Sequence, residues 1–276
     1  MDKSIHGLMG ILLVAFAGTG CFAQTGEDIE EGPEADAEEV EVGEASDALT
    51  PYWWSHFGTA ANSWGLGSLA GTGFLMGLTG NLGNGGATPA YAEVADSPSQ
   101  IVWHHNPVGG RALGSYVGTV QPSSGETAIK SITTSGGQLT KDLEVKLFGA
   151  KRRCMLTAVR NSSSTHNAFA NVGDALEILD VAGKFQFRST GRAAGSARCI
   201  TVNDVVYQAS WAWSSVDADL PMDPNEAGKQ CYLTGIGGSF RANNYNKGVY
   251  VWLNPSNDTW YLHVSANMFG SAECSI

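Results

Sequence analysis

The sequence predicts an all-β domain assembled from three internal repeats, and three observations carry that prediction. The first is a returning pattern. It opens Cys231-Tyr232-Leu233-Thr234-Gly235-Ile236 and closes Gly270-Ser271-Ala272-Glu273-Cys274. One copy earlier it opens Cys154-Met155-Leu156-Thr157-Ala158-Val159 and closes Gly195-Ser196-Ala197-Arg198-Cys199. The earliest copy opens Gly73-Phe74-Leu75-Met76-Gly77-Leu78 and closes Gly114-Ser115-Tyr116-Val117-Gly118. The copies recur at about 77–81 residues, and fixed spacing speaks for architecture before any single residue does. The second observation is that short alternating runs between Gly, Asn and Pro turns dominate after residue 49, with little helical periodicity. The third is the cysteines, which bracket two copies while Gly73 and Gly118 bracket the other.

Taken in order, residues 1–23 read as a signal peptide: Lys3 supplies charge, Gly7 to Phe16 form an apolar stretch too short to span a bilayer, and small residues follow. Two cleavage routes are open. Cys21-Phe22-Ala23 offers small residues to a standard signal peptidase, whereas Gly18-Thr19-Gly20-Cys21 resembles a bacterial lipoprotein box and would make Cys21 the site of lipidation. Residues 24–48 carry eleven acidic residues between Glu27 and Asp47 and no basic one. Such a run repels itself and buries no core, so it is expected to be a disordered linker. It also accounts for the whole formal net charge of −11, which leaves the rest of the chain near neutral.

Residues 49–276 are long enough for a substantial core in one domain. In the third copy Val249, Val251 and Leu253 share one face of a strand, as do Trp260, Leu262 and Val264 in the next, across the turn Asn254-Pro255-Ser256-Asn257-Asp258. Leu176 and Ile178, then Phe185 and Phe187, repeat this in the second copy. Each repeat (cores 73–118, 154–199 and 231–274) thus offers four or five strands. Three such sets suggest one pseudo-three-fold trefoil-, prism- or propeller-like domain; the alternative is three tandem small β-sandwiches. Cysteine at both ends of a copy, or at neither, predicts bonds within repeats: Cys154–Cys199 and Cys231–Cys274. An oxidising compartment, and so a secreted, periplasmic or outer-surface-attached protein, follows.

Aligning the copies from the hairpin matches Trp252 with Glu177 and Glu93, Tyr261 with Gln186 and Val102, and His263 with Arg188 and His104. The partners Leu253, Ile178 and Val94, and Trp260, Phe185 and Ile101, stay apolar. The face carrying Tyr250, Trp252, Tyr261 and His263 is therefore expected to be wet, with Asn257 and Asp258 in the adjoining turn. Flat rings there suit the C–H side of a sugar, with polar neighbours to fix its orientation. The competing reading packs those rings against a neighbouring repeat. Trp53, Trp54, Trp211 and Trp213 are expected at repeat junctions.

Other chemistry is sparse. His104 and His105, adjacent on a strand, point to opposite faces and cannot share a metal. No nucleophile elbow, zinc-protease motif or phosphate loop is present, so an enzyme is disfavoured. Asp217, Asp219 and Asp223 offer oxygen ligands for calcium, although two prolines interrupt the run and the required glycine is absent; no other cofactor is expected. A neutral domain behind an acidic leader excludes backbone binding of nucleic acid, and a membrane is met only through the Cys21 anchor. The expectation is a secreted or lipid-anchored bacterial surface protein that binds a glycan or other cell-surface polymer, similar in organisation to repeat-built lectins. The alternatives are a structural or adhesive envelope component that binds protein, and an extracellular hydrolase.

Overall fold

The computed structural model describes residues 53–275, apart from 67–71, 83–89, 97–99, 108–109, 121–129, 135, 146–150, 162–168 and 203–204. The leader, Cys21, the acidic linker and the side chains of Trp53, Trp211 and Trp213 lie outside the described set. The described residues form strands only: β1 Trp53–Gly58, β2 Asn62–Gly65, β3 Thr72–Gly80, β4 Tyr91–Asp96, β5 Ile101–Asn106 and β6 Leu113–Val120. There follow β7 Lys130–Thr133, β8 Gln138–Val145, β9 Arg152–Asn161, β10 Ala175–Val181, β11 Lys184–Thr190 and β12 Ala193–Thr201. The last are β13 Val205–Ser214, β14 Ala218–Pro224, β15 Gln230–Gly238, β16 Gly248–Asn254, β17 Thr259–Val264 and β18 Met268–Ser275.

These strands make three antiparallel sheets of six. The first runs β1-β6-β3-β16-β17-β14, the second β13-β18-β15-β10-β11-β8, and the third β2-β5-β4-β9-β12-β7. Among the described residues no sheet closes on itself, so the trefoil and propeller geometries expected from the repeat give way to open sheets with edges. Three tandem sandwiches are also ruled out, because every sheet mixes distant stretches of chain. Hairpin β4–β5 pairs with β9, hairpin β10–β11 with β15, and hairpin β16–β17 with β3.

Strands β3, β9 and β15 contact one another at the middle of the molecule. Every residue of β3 and β15 is buried, on both faces. Inward, Phe74, Leu75, Met155, Leu156, Tyr232 and Leu233 belong to one continuous core, with the rings of Phe74 and Tyr232 edge to face at 5.6 Å. Outward, Gly77 is roofed by Tyr250 and Tyr116 and Gly235 by Ser271 and Phe269, while Ala158 is buried. The hairpin strands are half wet instead, and β11 and β17 alternate half-buried with buried. Trp54 packs against the core. A bulge interrupts β3 against β6 at Leu75/Gly77, β12 against β9 at Ser196/Ala197, and β15 against β18 at Leu233/Gly235. Each bulge adds local twist where two long strands cross the core.

Both expected disulfides form: Cys154–Cys199 and Cys231–Cys274, each between directly opposed residues of paired strands. The glycine brackets need correction. Gly73 lies opposite Thr119, while Gly118 lies opposite Phe74. A Cβ at Gly73 would sit 2.1 Å from Val94 Cγ1 and 2.8 Å from Ile101 Cγ2, so aliphatic side chains already fill the space a sulfur would need. Gly118 is small for another reason, since a Cβ there would meet the Phe74 ring at 2.7 Å. Replacing Cys154 and Cys199 together by Ala should lower the unfolding free energy by about 2–4 kcal/mol in urea titrations. Peptide maps of the non-reduced wild type should show only the two intra-segment links.

Candidate functional site

The hairpin β16–β17 places the predicted residues on one outer face of the first sheet. Tyr250 lies opposite His263, and Trp252 opposite Tyr261. Their rings stack in pairs, Tyr250 on His263 at 4.5 Å and 20°, and Trp252 on Tyr261 at 5.3 Å and 28°. All four are half-buried and neither pair is sealed from solvent. Asn257 Nδ2 donates to Tyr261 Oη at 2.8 Å, fixing the phenol from the turn. Asp258 belongs elsewhere: its Oδ1 accepts from Asn225 Nδ2, holding the loop beside β14.

Register corrects the alignment of the copies. Tyr250 lies opposite Gly77, as Glu177 lies opposite Gly235 and Glu93 opposite Ala158. Tyr250, two residues before Trp252, is therefore the counterpart of those glutamates. Val251 is the buried inward residue, whereas Leu253 is half-buried. A slip of two preserves the face, so the expected wet surface stands while its membership shifts.

The structure adds residues that the sequence reading missed. Gly77 carries no side chain, and Tyr116 on β6 reaches across it to stack on Tyr250 at 5.0 Å and 19°. A Cβ at Gly77 would lie 2.2 Å from Tyr250 Cβ and 3.0 Å from Tyr116 Cδ2. Phe57 on β1, 41% exposed, packs edge-on against Tyr116 at 5.4 Å and against Tyr245 at 5.3 Å. The result is an aromatic row, Tyr245, Phe57, Tyr116, Tyr250 and His263, that ends at Asp219 on β14. Burial first, and then the neighbouring phenol Tyr250, raises the pKa of Tyr116. Burial first, and then the Asp219 and Asp217 carboxylates, raises that of Tyr250. Both hydroxyls therefore stay neutral donors. Sequence proximity links none of β1, β6 and β16, so only the sheet order brings these rings together.

Asp219 Oδ1 and His263 Nδ1 are 2.8 Å apart, and His263 Nε2 lies 3.2 Å from Ser265 Oγ. These are the atoms of an acyl-transfer relay, but the nucleophile's position is wrong. Ser265 is fully buried, and its Oγ accepts the Gly248 N–H at 3.0 Å. A hydroxyl that no substrate can approach orients a loop and attacks nothing. The three aspartates proposed for calcium also diverge. Asp217 Oδ1 accepts the Ala266 N–H, Asp219 meets His263, and Asp223 meets the fully buried Lys229 at 2.5 Å. Among the described residues no three His, Cys, Asp or Glu side chains converge on one point. His104 and His105 do face opposite ways: His104 Nδ1 is 2.8 Å from Ser63 Oγ, and His105 is buried with Nδ1 2.8 Å from Ser115 Oγ.

The other two outer faces differ in chemistry. On the second sheet Arg188 donates to Glu177 through Nε and Nη2 at 2.9 and 2.6 Å, and Thr234 bonds Ser271. On the third, Arg160 Nη2 donates to Glu93 at 2.8 Å and to Ser196 at 3.2 Å. Salt bridges and hydroxyl pairs occupy the places on those two faces that Tyr250, His263 and Tyr116 occupy on the first, and a continuous row of stacked rings is described on the first alone. No protein-family model, curated protein or solved structure matches the chain.

A half-buried cluster of histidine and tryptophan rings around His105 generates a pH prediction. His105 lies 4.8 Å from His56, whose ring is tilted against Trp64 at 4.4 Å, while Trp64 lies 4.7 Å from Trp103. Burial first, and then His56, lowers the His105 pKa to about 4, against a small opposing bond to the Gly58 backbone. As pH falls, the unfolded chain therefore takes up this proton first. The contribution is intact above about pH 6.5 and is lost on descent toward 4. Wild type should lose about 2–3 kcal/mol more than His105→Asn between pH 7.5 and 4.5 in denaturant titrations. Equal losses would remove His105 from the account.

Proposed function

We propose that this chain is an exported carbohydrate-binding protein, and that its ligand lies on the ring-bearing outer face of the first sheet. One observation carries the reading: half-exposed, mutually stacked rings occupy this face, while ion pairs occupy the corresponding places on the other two. Stacking fixes ring orientation in advance, so little conformational freedom is lost when a flat ligand settles on it. Trp252 is the platform ring, supported by Tyr261 from the next strand; Tyr250, stacked between Tyr116 and His263, offers its edge and hydroxyl, and Asn257 supplies an amide at the margin. One equipped face in three implies one site per chain, in contrast to a lectin that repeats its site by symmetry.

The same reading extends to architecture and location. The three segments are versions of one six-strand unit about a pseudo-three-fold axis, with each unit lending its hairpin to the next. Two buried disulfides fit an extracellular or periplasmic protein. Among the described residues no helix is long and apolar enough to cross a membrane. Attachment, if any, is through Cys21. A glycan array probed with the full chain should give binding that weakens at least tenfold in Tyr250→Ala and Trp252→Ala, at unchanged secondary structure. Glycan-silent protein that instead retains an envelope protein partner through the same residues would favour the adhesive reading.

A further inference from the structure

We infer, resting on the carbohydrate reading above, that the ligand is a linear polymer of amine-bearing sugars whose ammonium groups are received by Asp217 and Asp219. The argument begins with which carboxylates are already neutralised. Glu177 is held by Arg188, Glu93 by Arg160, and Asp142 by Lys184. Asp223 and Glu226 both face the ammonium of Lys229, at 2.5 and 3.6 Å. Asp219 has only the imidazole of His263, and its side chain is 51% exposed. Asp217, also exposed, accepts one backbone N–H, and no Lys or Arg pairs with it among the described residues. At the end of the aromatic row, then, two carboxylates face solvent with no guanidinium or ammonium beside them among the described residues. That both act on the Tyr250 hydroxyl places their field over the rings themselves.

Charge and aromatic surface then point to the same ligand. A protonated amine is attracted to the free carboxylate oxygens and to the face of Trp252 turned away from Tyr261, while the C–H side of its sugar packs on the edges of the stacked rings. A neutral sugar would use only the second contact, and an acidic one would be repelled. The row from Tyr116 to Asp219 crosses β6, β3, β16, β17 and β14, a span of about 19 Å at the strand spacing. Several sugar rings fit along it, so a chain gains what a monosaccharide cannot.

Titration calorimetry of the full chain at pH 6 and low salt, with a glucosamine hexamer and an N-acetylglucosamine hexamer of equal length, tests this. The free-amine hexamer should bind about tenfold more tightly. That preference should vanish in Asp217→Asn/Asp219→Asn, which keeps both side-chain acceptors, and shrink as salt rises. Equal or tighter binding of the acetylated hexamer, or binding only to some other neutral glycan, would overturn the amine inference and leave the carbohydrate reading in place. Silence toward every glycan of a broad panel would overturn both.

Discussion

The structure depends on a short antiparallel seam between its two ends. Gly248, Val249 and Tyr250 pair with Thr79, Leu78 and Gly77, joining the C-terminal hairpin to an N-terminal strand. Two glycines make that approach feasible: a Cβ at Gly248 would lie 2.2 Å from the Leu78 carbonyl oxygen, and Gly77 is closed off by Tyr250 itself. Without the seam β3 would present an unpaired edge over a fully buried strand, and β16 would lose its only neighbour besides β17. The aromatic row exists because of the same seam, since Tyr116 and Tyr250 come from opposite sides of it.

Much of this was legible in the sequence. Alternation in β11 and β17 marked half-wet strands, because a period of two follows from the pleat alone. Paired gain or loss of cysteine was enough to choose the partners of Cys154 and Cys231. What failed was register. Aligning the copies from their hairpin turns pairs Trp252 with Glu177, but turns differ in length, and it is Tyr250 that faces the central strand as Glu177 does. Gly118 was read as a lost cysteine although it makes room for the Phe74 ring.

The site was half legible for a related reason. The rings of one hairpin could be placed on one face, because their spacing is local. Tyr116 and Phe57 could not, since no periodicity reports which segment a hairpin will join. Asp219 was singled out for oxygen chemistry, and its position beside His263 is a consequence of β14 pairing with β17. The burial of Ser265 was equally invisible in sequence, and it separates a relay-like geometry from a catalytic one.

The exchange of hairpins also sets an order of events in time. The second sheet draws on residues 138–275 and the third on 62–201, whereas the first needs both Trp53 and Val264. A chain emerging from its N-terminus can complete the third sheet midway, but β3 must wait for nearly the last residues to arrive. Contacts so distant in sequence form slowly, because the intervening chain must first be gathered. The pairing with the largest gap in sequence, β3 with β16, is thus the same one that assembles the ring-bearing face.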